Sequence, residues 1–447
     1  MKRSRGLLLI VGIVQIILLG LFTPPGEDIS IARESFLTDQ KTDFLGVFAG
    51  IFYASIPEFI LGWQFYLAVL QCLLVLLALN LNLGGISCNR RTLFVFVITQ
   101  TICLTFAAQQ SRDGSLFAFT LLGLTIIHKS ICVKQKRFNF FLTFFGIMLL
   151  LIGLSFRPWF ALPVIPLLYF LKTRNNGSSF VSRIQMILIS ILILLAPLFV
   201  EFSVAKFANA EKNFPLQLLV LNDLSAMSCW SSNSQTINDA TTSLEVISID
   251  PNFATRICQY FKPSSWQSIV GSFPLTNLTE GLVPPLQTTT NEQDYRHLVG
   301  DWIRLVIQDP KTFIQIKLML SWQVIFASQS QLHPVPNQTL NDFGDNVIVG
   351  FLALLHWIFT LPWKIVSQLF LASPGVFLAI ILYLFRYSQI FRSSTRFRRA
   401  IISCVILTVG LGTMTFVSDN GRYTTPFVML CAVLIVGKFG RTRADRE

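Results

Sequence analysis

Residues 184–200 read IQMILISILILLAPLFV, an apolar run without a single charged side chain. A run of this length and composition is enough for one helix to cross the hydrocarbon core of a membrane. Over all 447 residues, 53% are hydrophobic and 13% are charged. The charged share is about half that of an average soluble domain. The sequence therefore predicts an all-α polytopic membrane protein.

Ten apolar segments of this kind are predicted to cross the membrane. They are residues 6–22, 59–79, 92–108, 115–131, 138–154, 159–171, 184–200, 371–387, 400–417 and 425–436. The first follows Lys2, Arg3 and Arg5, as the apolar region of a signal peptide would, but no small-residue cleavage pattern follows it. We therefore expect it to remain as the first transmembrane helix.

Two further apolar stretches, residues 313–326 and 347–366, are predicted to lie on the outer membrane surface. The first carries Lys317 near its middle, which is costly in a helix exposed to lipid. The second contains His356 and Lys364, and counting it as a span would place the arginines of residues 386–399 outside. Aromatic side chains in both stretches suit the depth of the lipid headgroups.

The distribution of charge predicts the orientation of the chain. With the N-terminus inside, the inner loops and tail hold 21 of the 35 Lys and Arg residues but only 2 of the 23 Asp and Glu residues. Because basic residues in short loops resist translocation, both termini are expected in the cytoplasm, with the chain in the plasma (inner) membrane. The basic residues flank apolar runs and form no stripe with aromatic residues, so membrane lipids, and not nucleic acid, are the expected partners.

Three regions follow from this topology. Residues 1–201 form an N-terminal transmembrane bundle with a first outer loop at 24–56. Residues 202–370 form a mainly helical extracytoplasmic domain with interfacial helices, and residues 371–447 form the C-terminal transmembrane helices and a cytoplasmic tail. Within the second region, Asp309 followed by Pro310 predicts the start of a helix. Cys229 and Cys258 lie in the same region, and the sequence leaves open whether they form a disulfide bond.

The candidates for chemistry are the polar residues at the outer ends of the predicted spans. They are Glu27, Asp28, Arg112, Asp113, Arg157, Arg422 and Tyr423. Carboxylates in such places can act as general bases, and guanidinium groups can bind phosphate. Structural alternatives stay open: a solvated loop end for Asp28, a helix cap for Asp113 and headgroup contact for Arg157. The four histidines show no metal-ligand spacing.

These motifs resemble those of the GT-C superfamily of integral membrane glycosyltransferases, most closely its bacterial, largely uncharacterised members. The resemblance is carried by Pro25-Gly26-Glu27-Asp28, Arg112-Asp113, Arg157, Trp302-Ile303-Arg304 with Asp309-Pro310, and Arg422-Tyr423 with Pro426. The sequence departs from the pattern after Asp43, where Phe44 stands in place of the His-Pro that relatives often carry.

The resemblance implies a polyprenyl-phosphate-linked sugar as donor and a glycan or lipid of the cell envelope as acceptor. It implies that Asp28 is the general base and that Asp113 positions the acceptor or supports that base. Arg112, Arg157 and Arg422 would contact the donor phosphate, with Glu27 and Tyr423 beside them in the substrate site. It implies no definite cofactor, and members of the superfamily differ in their dependence on divalent metal.

Two other functions stay open from the sequence. A lipid-linked glycan polymerase or ligase would need similar outer arginines, and the sequence separates it poorly from a transferase of single sugars. A secondary transporter would place ionisable groups near the membrane midplane and show internal repeats. The sequence has neither feature, so transport ranks third.

Overall fold

The computed structural model describes most of the chain. The described residues are 2–23, 27–38, 46–83, 90–109, 111–130, 136–173, 180–210, 212, 214, 216–248, 252–261, 270–271, 286–326, 347–368, 373–387, 395–415 and 425–444. The fold is all-α, with one minor addition. Strand β1 (Val270–Gly271) pairs in parallel with strand β2 (Leu286–Gln287), and each strand is two residues long.

The helices fall into two groups along the chain. The first nine are α1 Lys2–Phe22, α2 Glu27–Leu37, α3 Val47–Ala54, α4 Gly62–Leu83, α5 Arg90–Ala107, α6 Arg112–Ser130, α7 Lys136–Ser155, α8 Ala161–Thr173 and α9 Phe180–Phe207. A single 3-10 turn, Pro158–Phe160, precedes α8. The other helices are α10 Gln217–Trp230, α11 Ser234–Glu245, α12 Phe253–Tyr260, α13 Glu292–Gln308, α14 Pro310–Phe326, α15 Val347–Gln368, α16 Pro374–Tyr387, α17 Thr395–Thr415 and α18 Thr425–Ala444.

The apolar helices are those of a membrane protein. Among the described residues, four helical segments are long and apolar enough to cross a membrane: Gly62–Asn82, Phe138–Ser155, Ile187–Phe207 and Val347–Val366. The first three belong to predicted spans, and the fourth is a stretch that was expected at the membrane surface. The remaining predicted spans also coincide with helices, although these are shorter or less apolar, so the number ten stays a prediction.

Helix α15 has the length of a span, yet its ring contacts lie where other helices end. The His356 ring is 5.5 Å from the ring of Phe22, the last residue of α1. The Trp363 ring is 5.4 Å from the ring of Phe106, the penultimate residue of α5. Contacts with the ends of two helices favour a helix that lies across them. The surface position of α15 stays a prediction that these contacts support.

The long helices pack through small residues and a few buried polar bonds. A Cβ atom on Gly123 of α6 would lie 2.7 Å from the backbone oxygen of Gly146 in α7, so the two backbones touch. Gln15 of α1 donates to Thr101 of α5 at 2.7 Å, and Asn82 of α4 donates to Thr125 of α6 at 2.7 Å. Close backbone approach and interhelical hydrogen bonds are the usual means of association between membrane helices.

One end of this bundle is defined by several contacts, and we call it the Arg157 end. A Cβ atom on Gly114, at the start of α6, would meet the backbone oxygen of Ala107, at the end of α5. Phe160 of the 3-10 turn stacks on Phe427 at the start of α18, with ring centroids 5.1 Å apart. The turn after α7, the end of α5 and the starts of α6 and α18 therefore meet at this end.

Helices α10 to α14 enclose a second hydrophobic core, separate from that of the bundle. Its buried side chains include Leu221 and Met227 of α10 and Leu298 of α13. The Cys229–Cys258 disulfide joins α10 to α12, with Cα atoms 5.3 Å apart. A core of its own and a covalent bridge between its helices are properties of an independently packed domain.

Helix α14 begins where the sequence predicted. The Asp309 side chain accepts a hydrogen bond from the Thr312 N–H at 3.1 Å, which caps the helix and confirms the predicted start. Burial acts to raise the pKa of this carboxyl, but hydrogen bonds from Ser231 and Thr312 outweigh that effect and lower it.

The charge of Lys317, in the middle of α14, is paired with a buried carboxylate. Lys317 Nζ donates to Asp223 Oδ1 of α10 at 2.9 Å, and both side chains are buried. Trp302 of α13 donates its indole N–H to the other carboxylate oxygen at 3.1 Å. The cost of lipid exposure that the sequence assigned to Lys317 therefore does not arise, because this charge faces the second core.

We predict that Gly123→Ala destabilises the bundle, because an added methyl group would collide with the backbone of α7. Overpacking of this kind costs about 1–3 kcal/mol, and the measurement is thermal unfolding of the purified protein in detergent. The matched control is Gly410→Ala in α17, where an added Cβ atom meets no atom within 4 Å. Equal melting temperatures for the two variants would contradict the packing of α6 on α7.

Candidate functional site

A buried ion pair lies at the Arg157 end of the bundle. Arg157 donates through Nε to Asp113 Oδ1 at 3.1 Å and through Nη2 to Asp113 Oδ2 at 3.4 Å. The Asp113 side chain is 1% exposed and the Arg157 side chain 14% exposed. Two parallel bonds to a carboxylate fix the plane as well as the position of a guanidinium group. The structure thus brings together two of the predicted site residues.

The local sequence explains why both side chains are held. The Ser111 hydroxyl accepts the Gly114 N–H at 3.1 Å, so Ser111 caps α6 and Asp113 lies within the first turn. The helix cap that was an alternative role for Asp113 is therefore supplied by Ser111, two residues earlier. On the other side, Arg157 precedes Pro158, whose ring suits the first position of the 3-10 turn.

Aromatic rings pack beside the ion pair. Phe156, next to Arg157, contacts Phe52 and Tyr53 of α3 and Phe119 of α6, with ring centroids 5.0–6.0 Å apart. Phe48 joins the same group at 5.4 Å from Phe156. These rings exclude water from one side of the turn, which strengthens the electrostatic interaction at Arg157.

A hydrogen-bonded group of neutral side chains lies one turn into α6. Tyr53 Oη is 3.1 Å from the Ser115 hydroxyl. Gln71 of α4 reaches the same hydroxyl at 2.6 Å, and in its favoured amide orientation its nitrogen donates to the backbone oxygen of Ala107. All three side chains are buried. They tie α3, α4 and α5 to the turn of α6 that carries Asp113.

The first predicted outer loop is folded onto the bundle. Arg33 of α2 pairs with Glu58 at 2.9 Å and lies 4.9 Å from the centre of the Trp63 ring. Glu201 of α9 accepts the N–H of Phe48 at 3.2 Å and so caps α3. Helices α2 and α3 are therefore fixed against the long helices, although the sequence treated this region as a loop.

The predicted general base lies at the start of this folded region. The backbone of Glu27 and Asp28 forms the first positions of α2. Their side chains lie outside what the structure describes. The next residue, Ile29, is fully buried in the bundle core that also contains Tyr53. The start of α2 is thus anchored, and the contacts of Asp28 stay a prediction.

The other predicted site residues are placed less completely. Arg112 is the first residue of α6, adjacent to Asp113, and is half-buried. Arg422 and Tyr423 lie outside the described residues. The helix that follows them in sequence begins at Thr425, and its Phe427 stacks beside the turn that carries Arg157.

The sequence did not predict a group of three buried polar side chains near the ends of α1 and α5. Within the part of the chain that the structure describes, both ring nitrogens of His356, the indole nitrogen of Trp363 and Nε2 of Gln109 are buried without a hydrogen-bond partner. Buried polar groups in proteins are nearly always paired, so unpaired ones indicate a place for a polar ligand or water. The sequence signal for this group was His356, because an ionisable residue within an apolar run often marks a functional site.

No metal centre emerges from the described ranges, in which no three His, Cys, Asp or Glu side chains are grouped closely enough to share an ion. What the arrangement offers instead is a fixed guanidinium beside aromatic and hydroxyl groups. This combination is chemically suited to hold an anionic oxygen of a ligand.

We predict that Asp113→Asn lowers the melting temperature, because Arg157 would keep its charge in a buried place and lose its counter-ion. Breaking a buried ion pair by removing one partner costs about 3–5 kcal/mol. The control is Asp301→Asn in α13. It weakens a partly exposed pair with Arg304 and leaves an amide oxygen that can still accept the Ser243 hydroxyl, so it should cost less than about 1 kcal/mol. An Asp113→Asn protein as stable as the wild type would show that the pair contributes nothing.

Comparisons with known proteins give no family for this site. No protein-family model, no curated protein and no solved structure matches the chain.

Proposed function

We infer that the chain is a membrane glycosyltransferase that moves a sugar from a polyprenyl-phosphate-linked donor to a cell-envelope acceptor on the extracytoplasmic side. The observation that carries the proposal is the ion pair between Asp113 and Arg157 at one end of an apolar helical bundle. A guanidinium held rigidly in a partly dry setting is a strong ligand for a phosphate oxygen.

The proposed reaction is a displacement at the anomeric carbon of the donor sugar. Asp28 accepts the proton of an acceptor hydroxyl as the new bond forms between that oxygen and the anomeric carbon. The bond between the anomeric carbon and the phosphate oxygen breaks, and the phosphate leaves with the bonding electron pair. Arg112, Arg157 and Arg422 balance the charge of the leaving group.

The contacts of Asp113 define its part in this scheme. Both of its carboxylate oxygens receive hydrogen bonds from Arg157. The Asp113 side chain is 1% exposed and both of its oxygens face Arg157, so it offers an acceptor hydroxyl little access. We therefore assign Asp113 to positioning Arg157, and keep Asp28 as the general base. Glu27 and Tyr423 are assigned to substrate binding on the family resemblance alone.

The proposed topology places this chemistry outside the cytoplasm. The excess of Lys and Arg in the loops at the other end of the helices favours a cytoplasmic location for that end and for both termini. Ten spans in the plasma membrane would then leave the Arg157 end and the second core on the extracytoplasmic side. Donors carried on a polyprenyl chain would reach the site from within the lipid.

We predict that Asp28→Asn abolishes sugar transfer while the protein still inserts into the membrane. Loss of a general base lowers a rate by about 10²–10⁴-fold. The assay compares lipid-linked intermediates in cells that lack the gene with cells complemented by the wild type or by each variant. The matched control is Asp43→Asn, the same substitution in the same predicted outer loop, which should restore transfer.

Two outcomes would redirect or overturn the proposal. Transfer by Asp28→Asn at the wild-type rate would rule out the role of this residue. Accumulation of oligosaccharide carriers in the gene-deleted cells would favour a glycan polymerase or ligase, whereas carriers with a single sugar fit the transferase.

A further inference from the structure

A cavity of about 670 Å³ lies between the end of α16 and the start of α17. Three arginines line it, one from α16 and two from α17. The lining residues are Leu382, Phe385, Arg386, Thr395, Arg398, Arg399 and Ile402. None of these residues belongs to the candidate functional site.

The cavity involves the start of α17, whereas the Arg157 end involves the start of α18. Cys404 of α17 contacts Cys431 of α18, within the buried core. From that contact, α18 runs back to Phe427, which stacks at the Arg157 end. Arg398 and Arg399 precede Cys404 by six and five residues, about 8–9 Å along the helix at 1.5 Å per residue. The cavity is therefore built around residues other than the Asp113–Arg157 pair.

The walls of the cavity combine positive charge with apolar surface. No Asp or Glu side chain is among the described residues that line it. The Nε atom of Arg398 is buried and has no hydrogen-bond partner in the described part of the chain. Leu382 and Ile402 form apolar walls, and half of the Leu382 side chain is exposed.

These features are those of an anion site at a membrane boundary. Guanidinium groups form two-pronged hydrogen bonds with phosphate, and three of them around one cavity attract a group of more than one negative charge. An apolar wall that continues onto a lipid-facing helix suits the acyl chains of the same molecule. Basic pockets between membrane helices are a known type of site for anionic lipid headgroups.

We propose that this cavity binds the phosphate group of an anionic phospholipid. The shared chemistry is a phosphate oxyanion held by Arg386, Arg398 and Arg399. A free phosphate ion would satisfy the arginines alone, whereas a phospholipid would also cover Leu382, Phe385 and Ile402. The proposal is independent of the glycosyltransferase function.

The test measures binding of fluorescent cardiolipin to the full-length protein in neutral detergent micelles, with and without inorganic phosphate as competitor. The variant is Arg398→Gln/Arg399→Gln. The matched control is Arg90→Gln/Arg91→Gln, which removes two adjacent arginines from the first turn of α5, another helix predicted to begin on the same side. Binding should weaken by about tenfold or more in the first variant, because charge-assisted hydrogen bonds are lost, and should stay near the wild-type value in the control.

Each result has one meaning. Selective loss of cardiolipin binding in Arg398→Gln/Arg399→Gln, with weak competition by phosphate, supports a lipid site. Competition by phosphate at equal strength supports an anion site without a lipid component. Equal binding by both double variants overturns the proposal, since the arginines of the cavity would then act only as general surface charge. Circular dichroism of each variant establishes that the helical fold is retained.

Discussion

The ion pair between Asp113 and Arg157 is the interaction on which the rest of the Arg157 end depends. Two charges removed from water are tolerated only when they are paired and hydrogen-bonded, so neither side chain can move without the other. The first turn of α6 is thereby locked to the turn after α7. Phe156 and Ser115 extend these contacts to α3 and α4, so that four segments of the chain meet at one place.

A second charge pair performs a similar task outside the bundle. Asp223 and Lys317 join α10 to α14 within the second core, and Trp302 adds a bond from α13. Helix α14 also packs against α16 and α17, so the same element contacts both the second core and the bundle. The outward-facing side of α14 is apolar, with Leu318 and Trp322 exposed. A helix with one face on the domain and another free to meet lipid suits a junction between the two.

The sequence was sufficient for features that depend on neighbouring residues. Apolar runs predicted the long helices, and Asp309 before Pro310 predicted the start of α14. The sequence did not predict interactions between residues that lie far apart along the chain. Asp113 and Arg157 were recognised as charged residues at helix ends, but they lie 44 positions apart and nothing local specifies their pairing. The cost expected from exposure of Lys317 to lipid does not arise for the same reason, since its partner Asp223 lies 94 positions away.

The central claim is that Arg157, oriented by Asp113, receives the phosphate of a lipid-linked donor. The most direct measurement is a cryo-electron microscopy structure of the protein in lipid nanodiscs with a polyprenyl-phosphate-linked sugar bound. The account predicts phosphate density within hydrogen-bonding distance of the Arg157 guanidinium, at about 2.7–3.0 Å, with the Asp113 contact retained. Phosphate density at another place, with Arg157 facing only protein, would contradict it.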